Sequence, residues 1–587
     1  MLSDDSLRKI LYVDLGKRSF WVEDRNDLFE EWLGGTGVGI RLLQEECPEG
    51  TDPLGPENPV ILTVGPMTSL FPMASKTVAC FKSPHTKNLG ESHSGGRSAA
   101  AIRLAGYGGI VIRGRSESPV YLSINGDDVS LKDASALWGM GSSFTVGRVL
   151  REREAGAGTR TIMRIGRAGE KMIPYACVTM ETFRHFGRLG LGAVFGSKKL
   201  KAIVVAGKHS IPVADRKLYR QAYQEIFKLT TESDLMQKYH EVGTAINIMP
   251  LNTLGGLPTR NLQKGTFECA ENISGESLAG NYLGRRVACG HCPVACIHLA
   301  ALREPYEEEP YFYKTTMVSY DYEPIYSLGS MLGISDVNGL LGLMHTVETY
   351  ALDAMSTGVV LAWATEAIQK GLIPASETGG VRLEWGDFRA YMRAVEKIIE
   401  QPTDFYKALA QGVDHASEIY GGKEFALSWG GNEMPGYHTG PAAHVGCLTG
   451  ARHSHLDSAG YSIDQKRMAA KKDISPQEMA ETLFKEEQWR QVLSSLVVCF
   501  FARGIYAPDL VLKALSVSAM PFESEEALWN LGRRILLEKN AFKTRHGFDM
   551  RAVSVPKRII DVPAAAGQVS EDMIRNAVAH YLTLVSG

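Results

Sequence analysis

The sequence contains no apolar run approaching the roughly 20 residues that a membrane-spanning helix needs. Its first residues also lack a basic stretch followed by an apolar one, so we expect no secretory signal. Neither sign of charge dominates, because the net charge is only −3. This balance gives no indication of a nucleic-acid or membrane-surface partner. We therefore expect a cytoplasmic protein.

Cysteine is infrequent, with nine residues in a chain of 587. Without a secretory signal, these cysteines indicate reduced thiols or metal ligands rather than disulfides. Hydrophobic residues make up 44% of the chain and charged residues 22%, which is the balance of an ordinary globular protein. Because the chain is too long for a single core, we expect about two to four domains.

The part of the chain up to residue 208 is rich in predicted strands. Short runs of β-branched or aromatic residues alternate there with glycine-containing turns. The predicted strands are Ile10–Asp14, Ser19–Val22, Pro59–Val64, Thr77–Phe81, Gly109–Arg113, Val120–Ile124, Thr161–Ile165 and Ala202–Val205. We expect them to form two sheets.

From about residue 209 the hydrophobic period becomes that of helices. Helices are predicted over Lys217–Thr231 and Val359–Lys370. Ser335, Ser524 and Ser570 are each predicted to cap the start of a further helix.

The predicted fold class is therefore α+β, with a β-rich domain followed by two mainly helical domains. The expected boundaries are 1–208, 209–420 and 421–587. One segment, the Glu-rich Arg303–Pro310, is predicted to be a mobile loop with a solvated, charged face.

Cysteines provide the most informative motif. Three of them lie in the run Cys-Gly-His-Cys-Pro-Val-Ala-Cys, at Cys289, Cys292 and Cys296. Together with Cys499 they supply the four thiolates that a [4Fe–4S] cluster needs. A structural zinc site is the alternative, because zinc accepts similar spacings and His291 and His298 are close in sequence.

Glycine-rich segments occur in a fixed order before the cysteine run. They are Trp-Leu-Gly-Gly-Thr-Gly-Val-Gly from Trp32, Asp-Pro-Leu-Gly-Pro-Glu-Asn-Pro from Asp52, Ser-His-Ser-Gly-Gly from Ser92, Ala-Gly-Tyr-Gly-Gly-Ile from Ala105 and Gly-Leu-Gly-Ala-Val-Phe-Gly-Ser from Gly190. In this order, and with the cysteines, the chain resembles the tungsten-containing aldehyde ferredoxin oxidoreductase family nearly from end to end. The resemblance favours iron–sulfur over zinc.

The resemblance implies two pterins that chelate one tungsten, or alternatively molybdenum, through dithiolenes. It also implies a Mg²⁺ ion that joins the pterin phosphates, and a [4Fe–4S] cluster beside one pterin, held by the four cysteines. In such an enzyme the metal performs oxygen-atom and two-electron chemistry. The cluster then passes the electrons out singly.

Matching the family position by position implies further cofactor contacts in the first domain. Lys76 stands where the family has an arginine between cluster and pterin; lysine keeps the charge but loses the bidentate fork. His93 and His185 stand at residues whose backbone carbonyls hold Mg²⁺, and Arg184 directly precedes the second of them. The alternatives are a strand-edge lysine and ordinary loop histidines.

Two pterin-recognition segments of the family correspond to Glu348–Asp353 and Ser494–Cys499. In the first, the carboxylates of Glu348 and Asp353 are expected to accept hydrogen bonds from pterin ring N–H groups. In the second, Ser494 replaces the family's aspartate, so a carboxylate is lost on that side. Glu348 otherwise fits a polar position on an amphipathic helix.

Glu323 stands at the family's glutamate near the tungsten, where a carboxylate can act as general base. A surface glutamate before a proline is the alternative. Ser428 and Gly430 replace a histidine and a lysine of the family, which puts the substrate in question. His438 and His444 are the candidates to replace that histidine.

We therefore predict an enzyme that oxidises an aldehyde to a carboxylate and passes electrons to ferredoxin or a small iron–sulfur subunit. The alternative keeps the cofactor but reduces another substrate, such as an aromatic thioester. The metal would then need a protein cysteine, and Cys447 is the one spare cysteine in the C-terminal third of the chain. A zinc-stabilised binding protein is the non-enzymatic alternative. Both a homodimer and a hetero-oligomer fit the sequence.

Overall fold

The computed structural model describes residues 5–154, 156, 158–181, 183–213, 215–306, 309–517, 520 and 522–586. Its internal contacts divide the chain into two compact units. The first contains Met1–Met236, Ala288–Val294 and Lys485–Phe548, and the second contains Gln237–Val287, Ala295–Phe484 and Asp549–Gly587. The predicted domain boundaries near residues 208 and 420 stay predictions.

The strands lie mostly in the N-terminal part of the chain. They are β1 (Lys9–Asp14), β2 (Ser19–Asp24), β3 (Val60–Thr63), β4 (Thr77–Lys82), β5 (Leu89–Ser94), β6 (Gly109–Arg113), β7 (Val120–Asn125), β8 (Asp128–Asp133), β9 (Thr159–Arg164), β10 (Val178–Met180), β11 (His185–Phe186), β12 (Leu200–Gly207), β13 (Leu283–Val287), β14 (Ile297–Tyr306), β15 (Glu309–Tyr320), β16 (Ser428–Trp429) and β17 (Asn432–Glu433). Every strand predicted from the sequence is present, with ends within two residues of the prediction.

Helices dominate the remainder of the chain. They are α1 (Asn26–Trp32), α2 (Gly35–Glu46), α3 (Ser98–Ala105), α4 (Ser143–Arg153), α5 (Arg167–Glu170), α6 (Leu191–Ser197), α7 (Arg216–Thr231), α8 (Asp234–Glu241), α9 (Ile248–Leu254), α10 (Gly275–Asn281), α11 (Tyr322–Leu328), α12 (Val337–Tyr350), α13 (Ala354–Gln369), α14 (Phe388–Glu400), α15 (Asp404–Leu409), α16 (Val413–Tyr420), α17 (Pro441–Thr449), α18 (His455–Ser458), α19 (Gly460–Ala470), α20 (Pro476–Ser495), α21 (Pro508–Val517), α22 (Glu525–Arg545), α23 (Lys557–Asp561) and α24 (Glu571–Ser586). Within the described ranges, none of these helices is long and apolar enough to cross a membrane.

The first unit contains a six-stranded sheet in the order β2-β1-β6-β3-β4-β5. β1 and β6 run parallel, whereas the other neighbouring strands are antiparallel. β3 and β4 are buried along their whole length. Because both faces of these strands are covered, their sequences are largely continuous apolar runs rather than an alternating pattern.

A second six-stranded sheet of the first unit has the order β11-β10-β9-β12-β7-β8. β7 and β8 form a hairpin across the turn Asn125–Asp128, whose sequence is Asn-Gly-Asp-Asp, and β7 and β12 run parallel. One face of this sheet packs against α4 through a core that includes Tyr121, Leu137, Val146, Leu150, Ile162 and Val204. The prediction of a β-rich first part with two sheets is confirmed.

The second unit is mainly helical, as predicted. Its helix α13 is buried from Met355 to Ala367 and therefore belongs to the core. At Gly358 this helix approaches α11 so closely that a β-carbon would come 2.2 Å from the carbonyl oxygen of Ser327. Glycine is needed there for helix packing.

Side-chain caps start several helices where the sequence predicts them. Ser524 accepts a hydrogen bond from the amide of Ala527 at the start of α22. Ser570 accepts one from the amide of Met573 at the start of α24. Such caps satisfy amide groups that have no partner within the helix.

Two predicted helix starts are wrong by a few residues. Asp336, rather than Ser335, caps α12, because its carboxylate accepts two amide hydrogen bonds of the first turn. The helix predicted from Val359 begins already at Ala354, because Asp353 caps it. Aspartate competes with serine as a capping residue, and the hydrophobic pattern alone does not separate neighbouring candidates.

A three-stranded antiparallel sheet of β13, β14 and β15 interrupts the helical second unit. The prediction of a loop over Arg303–Pro310 is therefore wrong for Arg303–Tyr306, which form the end of β14, and for Glu309 and Pro310, which begin β15. The Arg303 guanidinium lies 4.6 Å from the ring centre of Tyr313 on β15. Such cross-strand contacts outweigh the local charge pattern. Glu307 and Glu308, at the middle of the predicted loop, lie outside the described residues.

The first unit contains a buried ion pair between α22 and β5. Lys539 Nζ lies 2.6 Å from Glu91 Oε2, and each side chain is only 1% exposed. The hydroxyl of Thr36 donates to the same carboxylate oxygen, and His93 Nε2 lies 2.7 Å from the other one. The Lys539 ammonium also donates to the Gln491 side chain. Each charge thus depends on the other for compensation.

Replacing this lysine should destabilise the first unit strongly. In Lys539→Met the Glu91 carboxylate keeps its burial but loses its counter-charge, so the free energy of unfolding should fall by about 3–5 kcal/mol. Chemical denaturation at constant pH measures the change. Lys513→Met is the matched control, because its partner Glu225 is exposed and the loss should be about 0–1 kcal/mol. If the free energy of unfolding fell by equally small amounts in both variants, Lys539 would not compensate the charge of Glu91.

Candidate functional site

The backbone of Met73 joins two of the cysteine segments in the first unit. Its N–H donates to the carbonyl of His291, and its carbonyl accepts from the N–H of Cys499 at 2.9 Å. Between Cys289 and Cys292 the chain forms a turn, in which the second amide donates to the first carbonyl. The backbone therefore holds the start of the cysteine run and the distant cysteine against one short segment.

Three residues predicted to serve the cofactors surround Gly95. A β-carbon at this glycine would lie 2.8 Å from Cys289 Sγ, 3.6 Å from Lys76 Nζ and 3.7 Å from Arg184 Cδ. Any larger residue would displace the sulfur, so the absence of a side chain keeps this space open. The structure thus brings together a predicted cluster thiol and the two predicted cations of this unit.

The motif cysteines have the free thiols that an iron–sulfur cluster needs, but no complete set of metal ligands is assembled among the described residues. All four motif cysteines are free thiols and partly exposed. Cys296 belongs to the second unit, whereas the other three belong to the first. Across the described chain, no three His, Cys, Asp or Glu side chains are arranged to hold a metal ion. Ligation by the four cysteines stays a prediction.

The other candidate residues of the first unit lie on strands and at a helix end. The imidazole of His93 contacts the buried Glu91 carboxylate and lies 6.3 Å from the Phe500 ring. His185 pairs with Thr179 in the short ladder of β10 and β11. The carbonyl of Ser494, in the last turn of α20, lies 2.2 Å from a β-carbon placed on Gly35.

In the second unit, the two carboxylates predicted to bind a pterin lie at helix ends. Asp353 caps α13 by accepting from the amide of Met355, and it also lies 2.5 Å from the hydroxyl of Ser356. That hydroxyl lies 2.6 Å from Glu433 Oε2. Glu348 is half-buried in the last turns of α12. Asp353 is therefore rigidly oriented by its own helix.

Glu323 lies in the first turn of α11, surrounded by aromatic rings. Its carboxylate is 3.2 Å from His455 Nε2, and it accepts from the amide of Gly436 at 3.4 Å. Burial, and secondly the charge of Glu323, raise the pKa of Tyr437 well above its usual value. The same two causes raise the pKa of Tyr322. The carboxylate thus lies in a poorly solvated, aromatic environment.

His455 is the residue that sequence reasoning missed. It is the first residue of α18, whose capping box is formed by Ser454 and Asp457. Asp457 also binds the guanidinium of Arg452 at 2.6 Å in a nearly buried ion pair. This local network fixes the imidazole opposite Glu323. The Ser-x-x-Asp spacing around a histidine is the signal that could have found it.

A narrow pocket lies beside the Glu323–His455 pair. Its walls include Trp429, Met434, Tyr437, His444, His455 and Tyr461. The indole N–H of Trp429 is buried, and it has no hydrogen-bond partner among the residues that the structure describes. A buried donor without a partner is costly, so this N–H is suited to a ligand that brings an acceptor oxygen.

The two histidines that are candidates for this replacement lie within hydrogen-bonding distance of each other. His438 Nδ1 lies 2.9 Å from His444 Nε2, and His438 Nε2 lies 2.9 Å from the carbonyl oxygen of Val562. The imidazole nitrogen at hydrogen-bonding distance from Glu323 is that of His455. The replacement of the family's histidine by His438 or His444 stays a prediction.

The local structure accounts for Ser428 and Gly430, the two residues at which this chain differs from the family's histidine and lysine. The Ser428 hydroxyl donates to Asp414 at 2.5 Å. Gly430 has a φ of +57°, and a β-carbon there would lie 2.6 Å from the His453 ring. A side chain such as lysine is therefore excluded at residue 430 without rearrangement, because both backbone and neighbour oppose it.

Comparison with known proteins gives matches over nearly the whole chain. The family model described as "Aldehyde ferredoxin oxidoreductase, N-terminal domain" matches residues 10–207, and the one described as "Aldehyde ferredoxin oxidoreductase, domains 2 & 3" matches residues 221–585. The tungsten-containing aldehyde ferredoxin oxidoreductase of Thermococcus kodakarensis is 33% identical, over 97% of this chain and 93% of its own. Its counterpart in Pyrococcus furiosus is 31% identical, over 95% and 92%.

Two further similar proteins are named for other reactions. The WOR-like subunit of an aliphatic sulfonate oxidoreductase from Pyrococcus furiosus is 31% identical, over 70% of this chain and 68% of its own. The solved active-site complex BamBC of benzoyl coenzyme A reductase shares the fold, with a TM-score of 0.82 at 21% identity, over 99% of this chain and 94% of that one. On the two family models and these relatives, the chain belongs to the aldehyde ferredoxin oxidoreductase family.

Proposed function

We propose that the protein oxidises an aldehyde and water to a carboxylic acid, and that it passes the two electrons to ferredoxin or a small iron–sulfur protein. The reaction RCHO + H2O → RCOOH + 2H⁺ + 2e⁻ needs a group that accepts protons. The observation that carries the proposal is the Glu323–His455 pair beside an aromatic pocket that His455 lines. A carboxylate in such surroundings is a general-base candidate.

The proposed cofactor consists of two pterins with one tungsten, a Mg²⁺ ion and a [4Fe–4S] cluster. When bound, the tungsten centre supplies the oxygen-atom and two-electron chemistry. The proposed cluster ligands are Cys289, Cys292, Cys296 and Cys499. The proposed contacts to the pterins and Mg²⁺ are Lys76, His93, Arg184, His185, Glu348, Asp353 and Ser494.

We assign separate roles in this reaction to Glu323, His455 and Trp429. Glu323 accepts a proton as water oxygen bonds to the carbonyl carbon, and His455 orients this carboxylate through its Nε2. The N–H of Trp429 donates to an oxygen of the bound ligand, which satisfies the otherwise unpaired donor. The aromatic walls exclude water, and hydrogen bonds are stronger in such surroundings.

A tungsten-dependent reductase is the second candidate. Cys447, the spare cysteine of the C-terminal third, lines the same pocket as His455 and Trp429. A thiol at that place fits a reductive enzyme that binds its metal through the protein. The two candidates differ in a direct assay. Aldehydes with oxidised viologen as acceptor test the first, and an aromatic thioester with reduced viologen as donor tests the second.

Replacing the proposed base should impair oxidation. Glu323→Gln keeps the size of the side chain but cannot accept the proton, so turnover should fall by roughly 10²–10⁴-fold. The assay uses aliphatic and aromatic aldehydes with viologen, and the tungsten content of each preparation must be equal. Glu396→Gln, on the exposed side of α14, should leave turnover unchanged. A wild-type rate in Glu323→Gln would exclude this residue as the base.

Crowding the proposed cluster site should reduce its iron. Gly95→Ala places a β-carbon 2.8 Å from Cys289 Sγ, so we expect lower iron content per chain and an altered EPR signal. Gly141→Ala is the matched control, because a β-carbon there meets no atom within 4 Å. Cys499→Ala should lose the cluster or leave a three-iron form. Unchanged iron and EPR in both test variants would remove the assignment.

The charge of Lys76 should tune the potential of the proposed cluster. A cation near the cluster stabilises its reduced, more negative state and so raises the reduction potential. Lys76→Met should therefore lower the potential, whereas Lys76→Arg should retain it. An EPR-monitored redox titration measures both. If Lys76→Met has the wild-type potential, this ammonium does not act on the cluster.

A further inference from the structure

A cavity lies on the α4 side of the second sheet, within the first unit. Its volume is about 280 Å³, close to the lower end of the range for small-molecule sites. Three arginines, one glutamate and two phenylalanines are among the residues that line it: Arg148, Arg151, Arg164, Glu181, Phe144 and Phe183. Of the described lining residues, none is a predicted contact of the cluster, the pterins or Mg²⁺. The proposed chemistry therefore leaves this cavity without a role.

The cavity and the helix α3 lie on opposite faces of the second sheet. Ala202 and Val204 of β12 belong to the core that α4 covers. Directions alternate along a strand, so a β-carbon at Gly207 would point to the other face. There it would come 2.0 Å from the backbone nitrogen of Ala105, the last residue of α3. The sheet thus separates the cavity from the helix that follows the Gly95 segment.

The composition of one face of α4 is unusual for a helix that packs on a sheet. Phe144, Gly147, Arg148 and Arg151 line the cavity at the spacing i, i+3, i+4 and i+7, which places them on one face. Apolar side chains are expected at such positions, but two of these residues are arginines. The glycine makes room for a further arginine, because a β-carbon at residue 147 would lie 2.7 Å from Arg164 Nε.

The cavity has an excess of positive charge. Arg164 is only 5% exposed, and its Nε donates to the carbonyl of Ser143. In the part of the chain that the structure describes, no carboxylate forms an ion pair with Arg148 or Arg151. These two residues are neighbours on the surface of one helix, where like charges repel each other. Glu181 supplies one negative charge, so the three arginines and this glutamate carry a net charge of +2.

Two phenylalanine rings form an aromatic wall of the same cavity. The ring centres of Phe144 and Phe183 are 6.2 Å apart, and their planes are inclined by 48°. Phe183 has a φ of +56°, in the left-handed region that residues other than glycine rarely adopt. Such strained residues occur preferentially where a ligand is held. The wall suits a flat apolar group that lies next to an anionic one.

We propose that this cavity binds a small aromatic phosphate ester, with one ring and a dianionic head group. The guanidinium groups bind the phosphate by charge-assisted hydrogen bonds, and the phenylalanine rings contact the aromatic ring. A dianion neutralises the net charge of +2, whereas a carboxylate would neutralise only half of it. Binding involves no redox step and no predicted cofactor contact, so the site goes beyond the proposed oxidation and does not depend on it.

Isothermal titration calorimetry of the purified holoenzyme with phenyl phosphate tests the site. In phosphate-free buffer near pH 8 the ester is a dianion, and we expect saturable binding to a single class of sites. Benzoate has the ring but less charge, and inorganic phosphate has the charge but no ring. Each should bind at least about tenfold more weakly. Equally tight binding of either compound would overturn the ligand class, and absence of saturable binding of phenyl phosphate would overturn the site.

Replacements of single side chains locate the binding. Arg148→Gln and Arg151→Gln should each weaken the binding of phenyl phosphate by about 10–100-fold, because each removes a charge-assisted hydrogen bond. Phe144→Leu should weaken it by about 2–10-fold and leave the binding of inorganic phosphate unchanged. Arg153→Gln is the matched control, because Arg153 is exposed on α4 and is not among the described lining residues. Wild-type affinity in both arginine variants of the cavity would overturn the proposal.

Stability without ligand is a second test. Arg148→Gln removes a charge beside Arg151 and leaves helix propensity nearly unchanged, so the free variant should unfold at the wild-type temperature or slightly above it. Added phenyl phosphate should raise the unfolding temperature of the wild type more than that of the variant. A clearly lower unfolding temperature of the free variant would show that the protein itself compensates Arg148, which contradicts a ligand site. Neither test uses an aldehyde, so failure of the proposed oxidation would leave both results unchanged.

Discussion

A carboxylate placed among aromatic rings is the constraint on which the second unit depends. Glu323 lies among tyrosines whose pKa values are raised by burial and secondly by its charge, so it needs partners that compensate for lost water. The imidazole of His455 and the amide of Gly436 supply them. His455 is in turn fixed by a capping box and by the Arg452–Asp457 ion pair. The arrangement of residues around Glu323 thus follows from the cost of partly removing one carboxylate from water.

In the first unit, the constraint is steric: the backbone must pass close to a cysteine sulfur and two cationic side chains while the space between them stays open. Gly95 leaves room beside Cys289, Lys76 and Arg184. The buried Glu91–Lys539 pair holds β5 against α22 close to this region of the chain. Glycine is required at this position because any side chain would occupy that space. This requirement accounts for the glycines of the Ser-His-Ser-Gly-Gly motif.

The sequence predicts local features well where a single interaction decides them. The N-terminal strands and the caps at Ser524 and Ser570 follow from short-range patterns. The family follows from motifs, and the resemblance to it makes Glu323 a candidate base. The partner of Glu323 could not be predicted, because the proximity of residues 323 and 455 is a tertiary contact. The strand over Arg303–Tyr306 was missed for a related reason, since its stability comes from the pairing of β14 with β15.

The most direct test of the account is elemental analysis of the purified protein by mass spectrometry, together with its visible spectrum. A tungsten bis-pterin enzyme with one cubane cluster should contain about one tungsten and about four iron atoms per chain, and should be brown. Zinc in place of iron, with no tungsten and no visible absorption, would contradict the central claim that this fold houses a redox enzyme.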